Sequence, residues 1–253
     1  MSKNLDVIQG LWVGDQLSTM ERLSIASFLA HGHEYHLYVY RPVANVPAGT
    51  CVKDASEILP ESMIFQYRKH PSYAGFANFF RYKLLFARGG WWVDTDTVCL
   101  RPFDFGSDHV FGSERTKTGT DTPCNGFLKV PPGSAIMADA WDHCRVKDTS
   151  TLTWGETGPR LLGELIGRHS LGRFVEPATT FAPVPFFEWR RLLDADGPFT
   201  FSEATRAVHL WNEMWRRDSR DKDARYDSMC PYERWKALYL NGSSNRQASG
   251  LIS

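Results

Sequence analysis

The sequence predicts an α/β fold, a central, mostly parallel sheet flanked by helices. Three observations point there. The chain opens on an apolar run, an amphipathic segment and a second apolar run, the pattern of a βαβ unit, which lays two parallel strands side by side under a helix. Further on, the aromatic-rich helical stretch "FANFFRYKLLFAR" stops at Gly89-Gly90 and leads into the short apolar strand "WWV". That strand runs directly into Asp94 and Asp96, and open α/β sheets bind ligands at the carboxyl ends of their strands.

Taken in order, "LDVIQGLWV" (5–13) is apolar and β-branched enough for a buried first strand. Ser18 and Glu21 form an S-x-x-E capping box, so a helix follows and ends near Gly32. "YHLYVY" (35–40) is a second strand, stopped by Arg41-Pro42. "DASEIL" is a short helix opened by Asp54. A longer helix over 72–88 is apolar nearly all round, yet carries Asn78 and Arg81 three residues apart on one face. "HVFGSE" and "NGFLKV" are strands, and helices follow at 134–146 and after "GETGP", with Thr157 or Gly158 as cap and Pro159 in the first turn. Residues 173–210 are rich in Pro and aromatics and end in the strand-like "AVHLW"; 216–225 is a mixed charge run of a solvated surface. A single domain over 1–240 with a flexible tail at 241–253 fits this pattern.

Composition narrows the function. Lys+Arg and Asp+Glu balance at 29 each, so no global field draws the protein to nucleic acid or an anionic membrane. Five Cys without a CxxC pair suit reduced thiols rather than a disulfide framework. "MSKNLDVIQG" has no signal-peptide core and no run approaches a membrane span. The expectation is a soluble, cytoplasmic protein, with peripheral attachment to the inner face of a membrane left open.

A D-x-D pair is weak evidence alone: 17 Asp in 253 residues produce about one by chance. The chain has three, and context separates them. Asp194/Asp196 precede Gly197-Pro198, a turn, and Asp221/Asp223 lie in the charge run. Asp94 and Asp96 alone end an apolar strand, where residues i and i+2 of an extended chain face the same way and converge on one point. Two carboxylates meeting a divalent cation explain such a pair economically.

The stretch "FANFFRYKLLFARGGWWVDTDTVCLRPF" resembles the DXD-containing sugar transferases of the GT-A fold, and most of all their retaining, family 32-like group. That group includes initiation mannosyltransferases, α1,4-galactosyl- and N-acetylglucosaminyltransferases and bacterial surface-glycan transferases. "IQGLWVG", "CNGFLKVPPGS", "GETGPRLL" and "AVHLW" extend the resemblance in the right order. It implies a GT-A-like nucleotide-sugar-binding fold, with a nucleotide-binding half (5–100) ending in the Asp pair and an elaborated half (101–240) for donor sugar and acceptor. It implies that Asp94, Asp96 and His209 hold Mn²⁺ or Mg²⁺, and that Arg81 and Asn125 join the two Asp in catalysis. Donor contacts fall to Trp12, Asn78, Arg81, Asp94, Asn125, Gly158, His209 and Trp211. Asn78 stands where the family has Asp, keeping an acceptor but losing a charge. The implied partners are a nucleotide-sugar donor, UDP-linked or GDP-mannose, and a glycan, lipid-linked or other hydroxyl acceptor. The implied context is surface polysaccharide or glycoconjugate synthesis. Glu156 is a candidate acceptor contact or an exposed turn carboxylate. No carboxylate in the sequence is an obvious covalent nucleophile, which leaves front-face and double displacement both open.

Two other classes compete. "WWVDTDTV" also fits the start of a haloacid-dehalogenase-like, Mg²⁺-dependent phosphatase with Asp94 as nucleophile, but the downstream Asp-Asp or G-D-x-x-x-D of that class is missing. A non-catalytic nucleotide- or carbohydrate-binding module is the other.

Overall fold

The computed structural model describes residues 5–68 and 71–241, so 242–253, nearly all of the expected tail, lie outside the described residues. Its elements run β1 (Ile8–Trp12), α1 (Thr19–Ala30), β2 (Tyr35–Val39), β3 (Cys51–Asp54), α2 (Ala74–Arg88), β4 (Gly90–Val93), β5 (Thr97–Cys99), β6 (Val110–Arg115) and β7 (Asp121–Val130). They continue with α3 (Ala135–Arg145), α4 (Pro159–Arg168), α5 (Ala178–Phe181), β8 (Ala207–His209), α6 (Asn212–Arg217) and α7 (Pro231–Tyr239).

Six strands form the main sheet in the order β3-β2-β1-β4-β7-β6. The pairings β3–β2, β2–β1 and β1–β4 are parallel, and β4–β7 and β7–β6 antiparallel. The α/β class and the mostly parallel sheet therefore hold, and β4 is the seam between its parallel and antiparallel parts. Alternation along β4 sends Trp91 and Trp92 to opposite faces. Trp91 packs with Phe28, Phe103 and Phe181, whereas Trp92 packs with Phe80, Leu128 and the helices on the other side. Both indoles are buried, which locks β4 at the centre and fixes where its carboxyl end emerges.

The capping box of α1 forms as expected, with Ser18 and Glu21 each accepting from the other's backbone. Gly89, at φ 64°, ends α2 by donating to Leu85 O. Asp54 does cap a turn, accepting from Ser56 N, but that turn is a 3-10 segment, Ala55–Glu57, and the residues before it form the edge strand β3. Four short residues beside β2 carry no periodic signal strong enough to reveal a strand. The same holds for β5, which pairs antiparallel with β8 in a second, two-stranded sheet.

The charge run at 216–225 is mostly exposed, as expected, and two of its residues also clasp α1. Asp223 accepts from the backbone N–H and hydroxyl of Thr19, each at 2.7 Å, and Lys222 reaches the buried Glu21 at 2.5 Å. A carboxylate at the positive end of α1 is favourable, and its partner lies 204 residues away, beyond any local pattern. Among the described residues no helix is long and apolar enough to cross a membrane.

His31, just past α1, contacts Tyr239 Oη at 3.1 Å. Burial, then His33 and Arg101, pull its pKa down to about 4 from 6.5. Neutral when folded, it takes up a proton on unfolding, so its contribution is lost as pH falls from about 6.5 towards 4. Denaturant midpoints at pH 7 and pH 5 should therefore drop less in His31→Gln than in the parent; equal drops would contradict this.

Candidate functional site

β4 stops at Val93, residues 94–96 make a turn, and β5 starts at Thr97. The two carboxylates thus meet because the chain turns, and not through alternation along an extended strand. Both ends of the turn are tied down. Asp94 N–H donates to Gly126 O at 3.0 Å, extending the β4–β7 ladder, and Asp96 O accepts from Leu210 N at 2.8 Å, just beyond β8. Gly126 leaves the Asp94 side chain its room, since a Cβ there would lie 3.1 Å from Asp94 Oδ2.

Behind Asp94 stands Arg81, on the face of α2 turned to the sheet and only 4% exposed. Its guanidinium meets Asp94 Oδ1 at 3.1 Å, donates to Asn125 O and, through Nε, to Ala77 O at 3.2 Å. It lies 4.7 Å from the centroid of Trp92, whose Nε1 donates to the same Asp94 oxygen at 2.8 Å. Three of the five guanidinium N–H groups are thus committed, leaving two. Asn78, one turn earlier on α2, accepts from Asn125 Nδ2 at 2.5 Å and donates to Thr157 Oγ1 at 3.3 Å. Asn suits this position structurally, because one amide supplies both an acceptor and a donor.

Gly158 presses on that pair: a Cβ would lie 3.2 Å from Asn78 Nδ2 and 3.4 Å from Asn125 Nδ2. Its own N–H is spent on Gly155 O at 3.2 Å, and the glycine packs the asparagines. Glu156 is likewise bound within its own loop, to Lys147 at 3.0 Å and to Thr153.

Asp96 is held from the other side. His209 Nε2 lies 3.1 Å from Oδ1, and the backbone N–H of Asn212, first residue of α6, donates to Oδ2 at 2.8 Å. Burial alone would raise the Asp96 pKa, but His209 and the Asn212 N–H outweigh it and hold the carboxyl below its usual range. Burial would lower that of His209, and the facing carboxylates Asp96, Asp94 and Glu114 turn the shift upward. His209 Nδ1 is buried without a partner. One ligand atom from each of Asp94, Asp96 and His209 lies within 4.8 Å of the others. That oxygen–oxygen–nitrogen set suits a hard or borderline divalent cation such as Mn²⁺ or Mg²⁺.

The trio opens on a cleft of about 590 Å³ that Arg81, Asn78, Asn125 and Trp12 also line. Trp12 is partly exposed there, its Nε1 on Gln16 O at 3.0 Å. Trp211 reaches the cleft by an edge only, being 7% exposed, with its indole N–H on Val184 O. The sequence reading missed Glu114. This residue of β6 lines the cleft partly buried, burial raises its pKa against the pull of His209, and its carboxylate has no hydrogen-bond or ion-pair partner among the described residues. Nothing in "HVFGSE" marks it; its significance comes from the pairing of β6 with β7, which brings it to the cleft that Asn125 also lines.

Residues 22–116 match the family model described as a glycosyltransferase sugar-binding region containing the DXD motif. This DXD region runs from α1 to β6 and contains Asn78, Arg81, Asp94, Asp96 and Glu114, while Trp12, Asn125, Gly158, His209 and Trp211 lie outside it. Among solved structures, the chain is similar to the PaToxG glycosyltransferase, at 13% identity over 66% of this chain and 72% of that one, with a TM-score of 0.47. It is also similar to a mutant transferase, at 10% identity over 64% and 84%, with a TM-score of 0.43.

Removing Arg81 would leave the Asp94 carboxylate and the Asn125 carbonyl beside an empty, desolvated space. Breaking such a pair costs about 3 kcal/mol. Arg81→Ala should lower the free energy of unfolding by about that amount in urea denaturation, and an unchanged midpoint would show that the pair does not hold the site.

Proposed function

We propose that the protein is a metal-dependent glycosyltransferase that moves a sugar from a nucleotide-sugar to a hydroxyl acceptor, with a UDP-sugar the favoured donor and GDP-mannose the next. The observation that carries this reading is the convergence of Asp94, Asp96 and His209 on one point of a cleft backed by Arg81, inside and beside the DXD region. The resemblance to the retaining, family 32-like transferases supports retention at the transferred carbon and an acceptor on a glycan or lipid-linked sugar.

Asp94, Asp96 and His209 would hold Mn²⁺ or Mg²⁺, which supplies charge compensation for the diphosphate. The chain's own residues do the rest. Arg81, through its two uncommitted N–H groups, adds positive charge where negative charge grows as the bond from sugar to phosphate breaks. Asn78 and Asn125, locked to each other, present fixed amide dipoles to the donor sugar. Glu114, an unpaired carboxylate, accepts hydrogen bonds from sugar or acceptor hydroxyls. Trp12 offers an apolar face to the donor from the end of β1. Against the phosphatase reading stands the missing downstream Asp-Asp or G-D-x-x-x-D.

A panel of nucleotide-sugars tests the proposal through release of free nucleotide with and without Mn²⁺. One donor should be turned over in a metal-stimulated way. Asp96→Ala should cut that rate by about 10²-fold or more, because several kcal/mol of charge compensation are lost at about 1.4 kcal/mol per decade. Its circular dichroism should match the parent. Undiminished turnover in the variant would refute the site, and metal-dependent nucleotide binding with no turnover of any donor would make the protein a binding module.

A further inference from the structure

We propose that Glu34, His36 and Cys51 form a second divalent-cation site, of the zinc class, at the outer edge of the main sheet. The parallel register of β2 and β3 sets His36 directly against Cys51, so both side chains leave the same face side by side. Glu34, two residues before His36, reaches the same place: its Oε1 lies 2.6 Å from His36 Nε2. One ligand atom from each of the three lies within 4.8 Å of the others. Backbone pairing, rather than a flexible loop, holds the imidazole and the thiol together, so little ordering remains to be done on binding.

The donor set selects the ion. Sulfur, nitrogen and carboxylate oxygen with an open fourth position suit tetrahedral Zn²⁺ and suit Mg²⁺ or Ca²⁺ poorly. Asp94, Asp96 and His209 offer no sulfur, so the two clusters differ in hardness as well as in place. Cys51 is also the one partly exposed cysteine; Cys99, Cys124, Cys144 and Cys230 are buried. Burial pushes the thiols of Cys99, Cys124 and Cys144 up, the last to about 12, which keeps them protonated and unfit as ligands. β3 is the edge strand, paired on one side with β2. A cation bridging His36 and Cys51 ties that edge to the body of the sheet, independently of any sugar-transfer chemistry.

Titration of the full chain with Co²⁺ tests this, since a thiolate ligand gives a charge-transfer band that an oxygen–oxygen–nitrogen site cannot. The band should appear, saturate, be displaced by Zn²⁺ and vanish in Cys51→Ser, while His36→Ala should weaken binding by at least the roughly 10–100-fold that losing a mere outer partner of a ligand costs. In the parent protein, where variant folding is not at issue, Zn²⁺ should also shield Cys51 from iodoacetamide, read by peptide mass mapping. Absence of the band, its persistence in Cys51→Ser, or equal alkylation of Cys51 with and without Zn²⁺ would each overturn the proposal.

Discussion

The ion pair between buried Arg81 and half-buried Asp94 is the constraint on which the rest of the site depends. It joins the helix packed on the sheet to the tip of the central strand. An ion pair of this kind adds little net stability, because desolvating both charges offsets most of their attraction. What it adds is position. The same guanidinium grips Asn125 O on the neighbouring strand and stacks on Trp92, so α2, β4 and β7 share one polar junction inside an otherwise apolar layer. Asn78 and Asn125 complete that junction, and Gly158 leaves just enough room for it.

Asp96 is the counterpart on the far side of the turn. Its carbonyl, its two carboxylate oxygens and the adjoining β5–β8 pairing bind the turn to residues 207–212. Residues 94–96 are therefore one of the junctions between the N-terminal and C-terminal halves of the chain, beside the β4–β7 ladder and the clasp of Asp223 on Thr19. The charges of Asp96 and His209 answer each other, while His209 Nδ1 and the Glu114 carboxylate have no partner among the described residues.

Much of this was legible in the sequence, for identifiable reasons. The βαβ opening, the capping box at Ser18 and Glu21 and the glycine stop after α2 are local signals with local causes, and each formed as read. Asp94 and Asp96 stood out because an apolar strand ran into them. The geometry that joins them did not, since a turn and an extended tip look alike over three residues. Arg81 stood out as a polar residue on an otherwise apolar helix, whereas His209 was reached through resemblance alone. Glu114, the β5–β8 sheet and the clasp of Asp223 on Thr19 depend on partners distant in sequence, and no window of neighbouring residues contains that information.

The site centres on one point, where Asp94, Asp96 and His209 converge. Its most direct test is a crystal grown with Mn²⁺ and a nucleoside diphosphate, measured for anomalous scattering from manganese. The account predicts an anomalous peak at that point, with the diphosphate against it and Arg81 still on Asp94. A diphosphate bound in the cleft with no manganese between it and those three side chains would contradict it.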